Sequence, residues 1–253
     1  MKRKILFWSL IAVLAAAAVF SGYKFISLML EYREGEKTYE ELTKYVHLEG
    51  YTPQDGTPTE GAQQIGPYVD HEQLTALNPD FVGWIYIEGT QVNYPIVQGE
   101  DNDYYLHRMF NKEYNAAGSI FVDSGNSANL TDYNTVLYGH NMKNGSMFAD
   151  VESYRSQGHY DAHPTGLLLT ADGNYELQFF AGYAAKTDSR AWELDFATPD
   201  SYEKWLQQAV SQSFFKSSVT PTASDRVVTL STCTYDRTNA RFVLLAVLKP
   251  LDQ

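Results

Sequence analysis

The sequence holds a single cysteine, Cys233, among 253 residues. No disulfide can close within the chain, so a disulfide-stapled scaffold is excluded. Positive charge is also scarce: 19 Lys and Arg stand against 31 Asp and Glu, a net charge of −12. Four of those bases (Lys2, Arg3, Lys4, Lys24) and none of the acids fall in the first thirty positions, so the remainder is more acidic still. Such a surface repels phosphate backbones and argues against nucleic acid as a partner. No internal repeat is visible. What is present is globular in character, with 44% hydrophobic, 14% aromatic and 20% charged positions, far from a disordered composition.

The N-terminus reads as a membrane element. Met1 to Lys4 is basic, and Ile5 to Phe20 is apolar apart from Ser9. A helix over Ile5–Tyr23, at ~1.5 Å rise per residue, just crosses a ~30 Å hydrocarbon core. Bases before this span and Glu31, Glu34 and Glu36 after it favour the N-terminus inside and the bulk outside, as a single-pass protein of the cell membrane. The alternative is a cleaved signal peptide, since Ala15–Ala18 offers small residues to a peptidase. The apolar run continuing past those alanines favours an uncleaved anchor. Either way the rest of the chain is exported, and Cys233 is an unpaired thiol in an oxidising or extracellular setting.

Residues 1–30 thus read as a stub and anchor, and 31–67 as an extracytoplasmic helix and linker. Glu31–Lys44 has helical spacing, whereas Gly50–Gly66, with Pro53, Gly56, Pro58 and Gly61, reads as a solvated tether. Residues 68–253 form the main domain. After a short helix over His71–Leu77, apolar or alternating runs recur at Phe81–Ile87, Gln91–Val97, Ser119–Val122, Thr135–Tyr138, Gly166–Thr170, Tyr175–Tyr183, Arg226–Cys233 and Phe242–Leu248. Their Val, Ile, Tyr, Phe and Thr content predicts strands. Eight strands in one domain predict a mostly-β fold, a closed barrel or a sandwich. Helices are expected at Asn102–Phe110, Ser146–Tyr154 and Ser201–Phe215, the last with Tyr202, Trp205, Leu206, Val210 and Phe214 on one face.

The last two strands carry the chemistry. Val227–Cys233 is apolar on both faces, as a central strand would be. A polar loop, Thr234–Ala240, leads into the equally apolar run from Arg241 to Leu248. Antiparallel pairing would bring Cys233 and Arg241 to one rim. A guanidinium beside core residues is costly to bury unless something negative meets it, and a thiolate or a developing oxyanion would serve. On spacing alone a second reading stands equally: Cys233 as a small buried residue, with Arg241 paired to Asp236. The third element is Thr135-Val136-Leu137-Tyr138-Gly139-His140-Asn141, a strand ending in Gly-His at a position where reactive side chains are presented. His47, His71, His107, His159 and His163 read as ordinary loop or core residues. A thiol nucleophile needs a proton-transfer partner and a cationic neighbour, and His140 and Arg241 supply one of each.

Leu137-Tyr138-Gly139-His140, Thr229-Leu230-Ser231-Thr232-Cys233 and Arg241 eight residues later resemble the three signatures of the sortases, membrane-anchored cysteine transpeptidases of Gram-positive bacteria. The resemblance runs from about Tyr68 to Leu248 and includes Asn78–Ile85 and Tyr94–Gln98. The helix before the last two strands and the long N-terminal segment resemble class B in particular. The resemblance implies an eight-stranded sortase-like β-barrel with peripheral helices, and a reaction on secreted proteins bearing a C-terminal sorting signal of NPQTN or LPXTG type. In it Cys233 attacks the threonine carbonyl, His140 moves the proton and Arg241 stabilises the substrate carbonyl or oxyanion. The thioester is resolved by an amine of a peptidoglycan precursor or of a pilin. Class B likeness also points to Asn102 and Leu106, one helical turn apart, and to Tyr138, Thr187 and Ser231 as groove residues. No class A-type acidic calcium cluster is recognisable, so neither metal nor cofactor is expected. The chain departs from some class B members after the cysteine, where Thr234-Tyr235 precede Asp236, which leaves an acid that orients His140 in doubt.

Two other cysteine enzymes fit poorly. Papain-like enzymes place Cys before His, with Trp near the Cys. L,D-transpeptidases have Gly directly before the Cys and Arg soon after, where this chain has Thr232 and a distant Arg241. From another class, a tethered binding module could use the 19 tyrosines as a ligand face.

Overall fold

The computed structural model describes residues 2–48, 66–233 and 240–251, with Lys2 and Cys233 described by backbone alone. The tether reading of Gly50–Gly66, Gly66 itself excepted, and the doubt over Asp236 fall outside the described residues.

Eight strands close into one barrel: β3 (Phe81–Tyr86), β4 (Asn93–Val97), β5 (Ile120–Val122), β6 (Asn134–Tyr138), β7 (Thr165–Thr170), β8 (Gly173–Lys186), β9 (Val227–Cys233) and β10 (Ala240–Pro250). Around the barrel the order is β10-β8-β7-β3-β4-β5-β6-β9. The pairs β4/β5 and β6/β9 are parallel; the other neighbours are antiparallel. All eight expected strands are present within a few residues of their predicted bounds, and closure selects the barrel over the sandwich.

The alternation along β9 and β10 explains why both read as apolar throughout. Val228, Leu230, Leu244 and Ala246 enter the main core with Trp84, Ile85, Leu168 and Phe179. Val227, Val243, Leu245 and Val247 face a second cluster on the outside of the barrel. That cluster is completed by α4 (Pro199–Gln212), which buries Tyr202, Trp205, Leu206 and Ala209. Each such fully buried large side chain contributes roughly 1.5–3 kcal/mol. The helix starts where Thr198 Oγ1 accepts the Ser201 amide at 3.1 Å, with Pro199 in the first turn. It ends earlier than expected: Val210 and Phe214 are about half exposed, and Ala209 takes their place on the buried face.

Two other expected helices are corrected. Asn102–Phe110 contains only a 3-10 turn over Tyr104–Leu106. Asp101 Oδ1 accepts the amides of Asp103 and Tyr104, at 2.9 and 2.8 Å, and this side-chain turn competes with helix. Asn102 therefore lies before the turn, not one helical turn from Leu106 within a continuous helix. Ser146–Tyr154 is a 3-10 stretch over Ala149–Arg155, entered through Met147 at φ +59°. Not anticipated were α3 (Gln157–Ala162) and a two-stranded sheet of β1 (Val46–His47) and β2 (Tyr68–Val69). The helix α2 (His71–Leu77) is as expected, with Asp70 accepting the Gln73 amide at 3.0 Å.

The N-terminal helix α1 runs unbroken over Lys2–Leu42. Its first part is exposed, and the stretch is long and apolar enough to cross a membrane. Its last turns rest on the barrel through Tyr39 and Leu42, both buried.

Gly139, where β6 runs into His140, is fixed by space. A Cβ there would lie 2.5 Å from Ile120 Cδ1 and 2.6 Å from the Phe148 ring, both fully buried. Gly139→Ala is expected to lower stability by about 1–3 kcal/mol through overpacking, read as a lower midpoint in thermal denaturation.

Candidate active site

The site forms where β6 and β9 end and β10 begins. The parallel β6/β9 pair has Asn134 opposite Val227 and Tyr138 opposite Ser231. The seam is pinned at the start by Thr229 Oγ1 donating to Asn134 Oδ1 at 2.8 Å, and at the end by the Gly139 amide on Ser231 O at 3.1 Å. Two residues past the last pair, each strand reaches a position singled out in the sequence, His140 on one and Cys233 on the other. Across the antiparallel β9/β10 pair, Arg241 is the register partner of Cys233. The expected pairing of the last two strands is therefore present, with both residues at one rim.

A cavity of about 220 Å³ opens at this rim, lined by Asn102, Leu106, Phe121, Tyr138, Gly139, His140, Ser231, Thr232 and Arg241. A larger one of about 530 Å³ shares Tyr138 and Arg241 with it and is bounded by Thr187, Trp192 and Glu193. The five groove candidates thus divide: Asn102, Leu106, Tyr138 and Ser231 surround the first cavity, whereas Thr187 belongs to the second.

His140 is held by a hydrogen bond between its Nε2 and the Leu106 carbonyl, 2.6 Å long. A carbonyl only accepts, so Nε2 carries the hydrogen and Nδ1 is the nitrogen free to take up a proton. Burial pushes the imidazole pKa below its usual value; the Leu106 carbonyl partly opposes this, and His107 and Arg241 add to the depression. The ring is consequently neutral at neutral pH. The His107 ring stacks on it at 5.8 Å between centroids.

Tyr138 donates to Asp123 Oδ2 at 2.8 Å, and Asn102 Nδ2 donates to the same oxygen at 3.1 Å. Burial, with Asp123 in support, raises the Tyr138 pKa, so the phenol keeps its proton. The Ser124 amide in turn donates to Asn102 Oδ1 at 2.8 Å, which fixes the orientation of that amide. Ser231 Oγ accepts from Trp192 Nε1 at 2.9 Å. Sequence reasoning did not single out Asp123, Trp192 or His107. Asp123 follows β5 directly, and an acid at a strand end was the available signal; Trp192 closes a 3-10 turn, Arg190–Trp192, that no pattern predicts. Among the described residues, no group of three or more His, Cys, Asp or Glu side chains is arranged to hold a metal ion.

The assembly offers a neutral imidazole with one free nitrogen, a guanidinium, and two hydroxyls already oriented by neighbours. Such groups suit proton transfer and carbonyl polarisation. Comparison with known proteins agrees with this chemistry. The family model for the sortase domain matches residues 85–249. Sortase B of Listeria monocytogenes is 39% identical over 225 residues, covering 89% of this chain and 88% of that protein. Among solved structures, sortase B from Bacillus anthracis in complex with AAEK1 superposes with a TM-score of 0.74 at 33% identity, covering 88% of this chain and 100% of that one. The Staphylococcus aureus sortase B–substrate complex gives 0.69 at 36% identity, covering 72% and 85%. With the eight-stranded barrel and its site residues on the same chain, the protein belongs to the sortase family of cysteine transpeptidases, within class B.

Proposed function

We propose that this chain is a membrane-anchored sortase that cleaves a C-terminal sorting signal of NPQTN or LPXTG type after its threonine and joins the released protein to an amino group of the cell wall. The observation that carries the reading is the hydrogen bond of His140 Nε2 to Leu106, at a mouth shared with Arg241 and entered by the end of β9. It leaves one nitrogen available for proton transfer beside the residue that would supply sulfur. The relative solved in a substrate complex supports a peptide substrate, and the length and apolarity of α1 support the anchor. Tethering raises the effective concentration of exported substrates and of lipid-linked acceptors at the membrane face.

In the proposed reaction His140 Nδ1 takes the Cys233 thiol proton as sulfur attacks the threonine carbonyl. Arg241 donates to the oxygen as negative charge develops there. The tetrahedral intermediate collapses to a thioester when His140 returns that proton to the departing amine. An incoming amine then attacks the thioester, passes its proton to His140 and forms the new amide, and the thiol regains the proton. Nε2–H stays on the Leu106 carbonyl throughout, so the ring does not turn between steps. Asn102, Leu106, Tyr138 and Ser231 would contact the signal on one side of the scissile bond, and Thr187 on the other. Residues 68–253 would form the catalytic unit, on the extracellular face.

Incubation with a small library of sorting peptides, followed by mass spectrometry of the acyl-enzyme, identifies the signal and tests the assignment. Cys233→Ala is expected to abolish turnover and the thioester while leaving the folded state intact; normal cleavage by that variant refutes the mechanism. Arg241→Lys should lose about a hundredfold in kcat/KM, because an ammonium lacks the planar fork that engages two acceptors; near-normal turnover would leave Arg241 a structural residue. The ring of His140 should titrate below its usual midpoint of about 6.5 when followed by NMR. Because the folded state binds that proton less readily, the histidine's contribution to stability falls as pH drops below the ordinary value, whereas activity falls only through the lower midpoint of the folded ring. A midpoint above 6.5 contradicts the burial argument.

A further inference from the structure

The C-terminal half of α1 touches the two loops that hold His140. Asn115 Nδ2 donates to the Glu31 carbonyl at 3.0 Å, the Ala116 amide to Glu31 Oε1 at 2.8 Å and Asn144 Nδ2 to Glu36 Oε1 at 2.8 Å, and Tyr39 is the side chain of this helix buried between them. Tyr39 is 4% exposed, and its hydroxyl donates to the Gly118 carbonyl and lies 3.1 Å from Ser119 Oγ. Gly118 stands at φ +59°, so close to the preceding loop that a Cβ would fall 2.6 Å from the Leu106 carbonyl oxygen and 2.8 Å from that of Tyr105. Ser119 ties the same loop from the other side, its amide donating to Tyr105 O at 3.0 Å and its hydroxyl to Arg108 O at 2.8 Å. The Leu106 carbonyl is the group that accepts His140 Nε2.

A second branch leaves from the face of the same ring. Tyr39 packs edge-on against Tyr94 at 5.2 Å, and the Tyr94 hydroxyl accepts the Met147 amide at 2.9 Å. Met147, at φ +59°, bridges Asn141, and the next amide, that of Phe148, donates to the His140 carbonyl at 2.9 Å. One side chain thus reaches the carbonyl that orients the imidazole and the loop that carries its backbone. Beside Tyr39, a cavity of about 320 Å³ separates part of α1 from the barrel. The coupling therefore runs through a few named contacts and is not spread along a sealed interface.

We propose that Tyr39 is a positioning residue for the transpeptidation: through Gly118 and Leu106 it fixes the orientation and tautomer of His140. Packing alone does not require this hydroxyl, since a phenylalanine would fill the same volume and meet Tyr94 equally well. What the hydroxyl adds is a donor for the Gly118 carbonyl, which otherwise has no partner from α1, and this holds the 105–119 loop against the histidine. Burial raises the Tyr39 pKa, so the phenol retains the proton it donates. The helix that leads to the membrane is thereby also part of the acid–base apparatus.

The inference rests on the proposed role of His140, and its test separates the two. The full chain in detergent micelles, labelled with ¹⁵N-histidine, reports the protonation of each ring nitrogen of His140. Wild type should show the Nε2–H form, and Tyr39→Phe a mixture of the two tautomers with faster ring exchange. Should Tyr39→Phe fail to fold, Ser119→Ala, which removes the neighbouring hydroxyl, should move the same signals in the same direction. Turnover should fall about tenfold in kcat with little change in KM, as expected for a reacting group displaced by a fraction of an ångström. Unchanged ring nitrogens overturn the proposal, whatever happens to activity or melting temperature. Disturbed ring nitrogens with wild-type kcat would uphold the positioning by Tyr39 and fault the role given to His140.

Discussion

The parallel seam between β6 and β9 is the constraint on which the rest of the site depends. Both strands are buried on both faces, with Val136, Leu137, Thr229 and Leu230 fully enclosed. A one-residue slip would turn the interior residues of one strand outward, so the register is strongly specified. Asn134 and Thr229 lock one end of the seam, and Gly139 on Ser231 locks the other. Given that seam, His140 and Cys233 have no choice of station. The adjacent strands follow from it: β10 brings Arg241 opposite Cys233, and β5 delivers Asp123 beneath Tyr138.

Charge is handled sparingly at this mouth. The molecule is strongly acidic overall, yet two acids at this mouth are engaged, Asp123 by Tyr138 and Asn102 and Glu193 by Arg190. Two histidines lie face to face, and two positive rings so close would repel, so the pair favours a neutral His140 as burial does. Arg241 remains the fixed cation. A guanidinium at such a mouth can meet a carbonyl oxygen that becomes negative.

Strand content was legible because period-two and all-apolar runs are dictated by burial, and burial on both faces marks the centre of a closed sheet. The pairing of β9 with β10, and hence the meeting of Cys233 and Arg241 at one rim, followed from the apolar runs flanking one short loop. Local helix was less legible. Around Asn102 the Asp101 carboxylate outcompetes helical hydrogen bonds, a choice made by one side chain and not by periodicity. The far end of α4 misled for a different reason: Val210 and Phe214 have helical spacing, but Ala209 takes the buried face in place of Val210, and past the helix end at Gln212 it is Phe215 that packs inward. Trp192 and the carbonyl of Leu106 were illegible because each acts through contacts distant in sequence, and a backbone carbonyl carries no residue signature at all; Asp123 offered only its place at a strand end.

The β6/β9 seam also sets an order of events. Its partners are roughly ninety residues apart in sequence, so the loop-closure cost falls on a late, non-local step of folding. A chain emerging from its N-terminus makes α1, the imidazole and the oriented Leu106 carbonyl long before β9 exists. Cys233 and Arg241 arrive on the final two strands, as the barrel closes. A chain still in synthesis therefore carries the imidazole without the thiol, and His140, Cys233 and Arg241 share one rim only with completion of the fold.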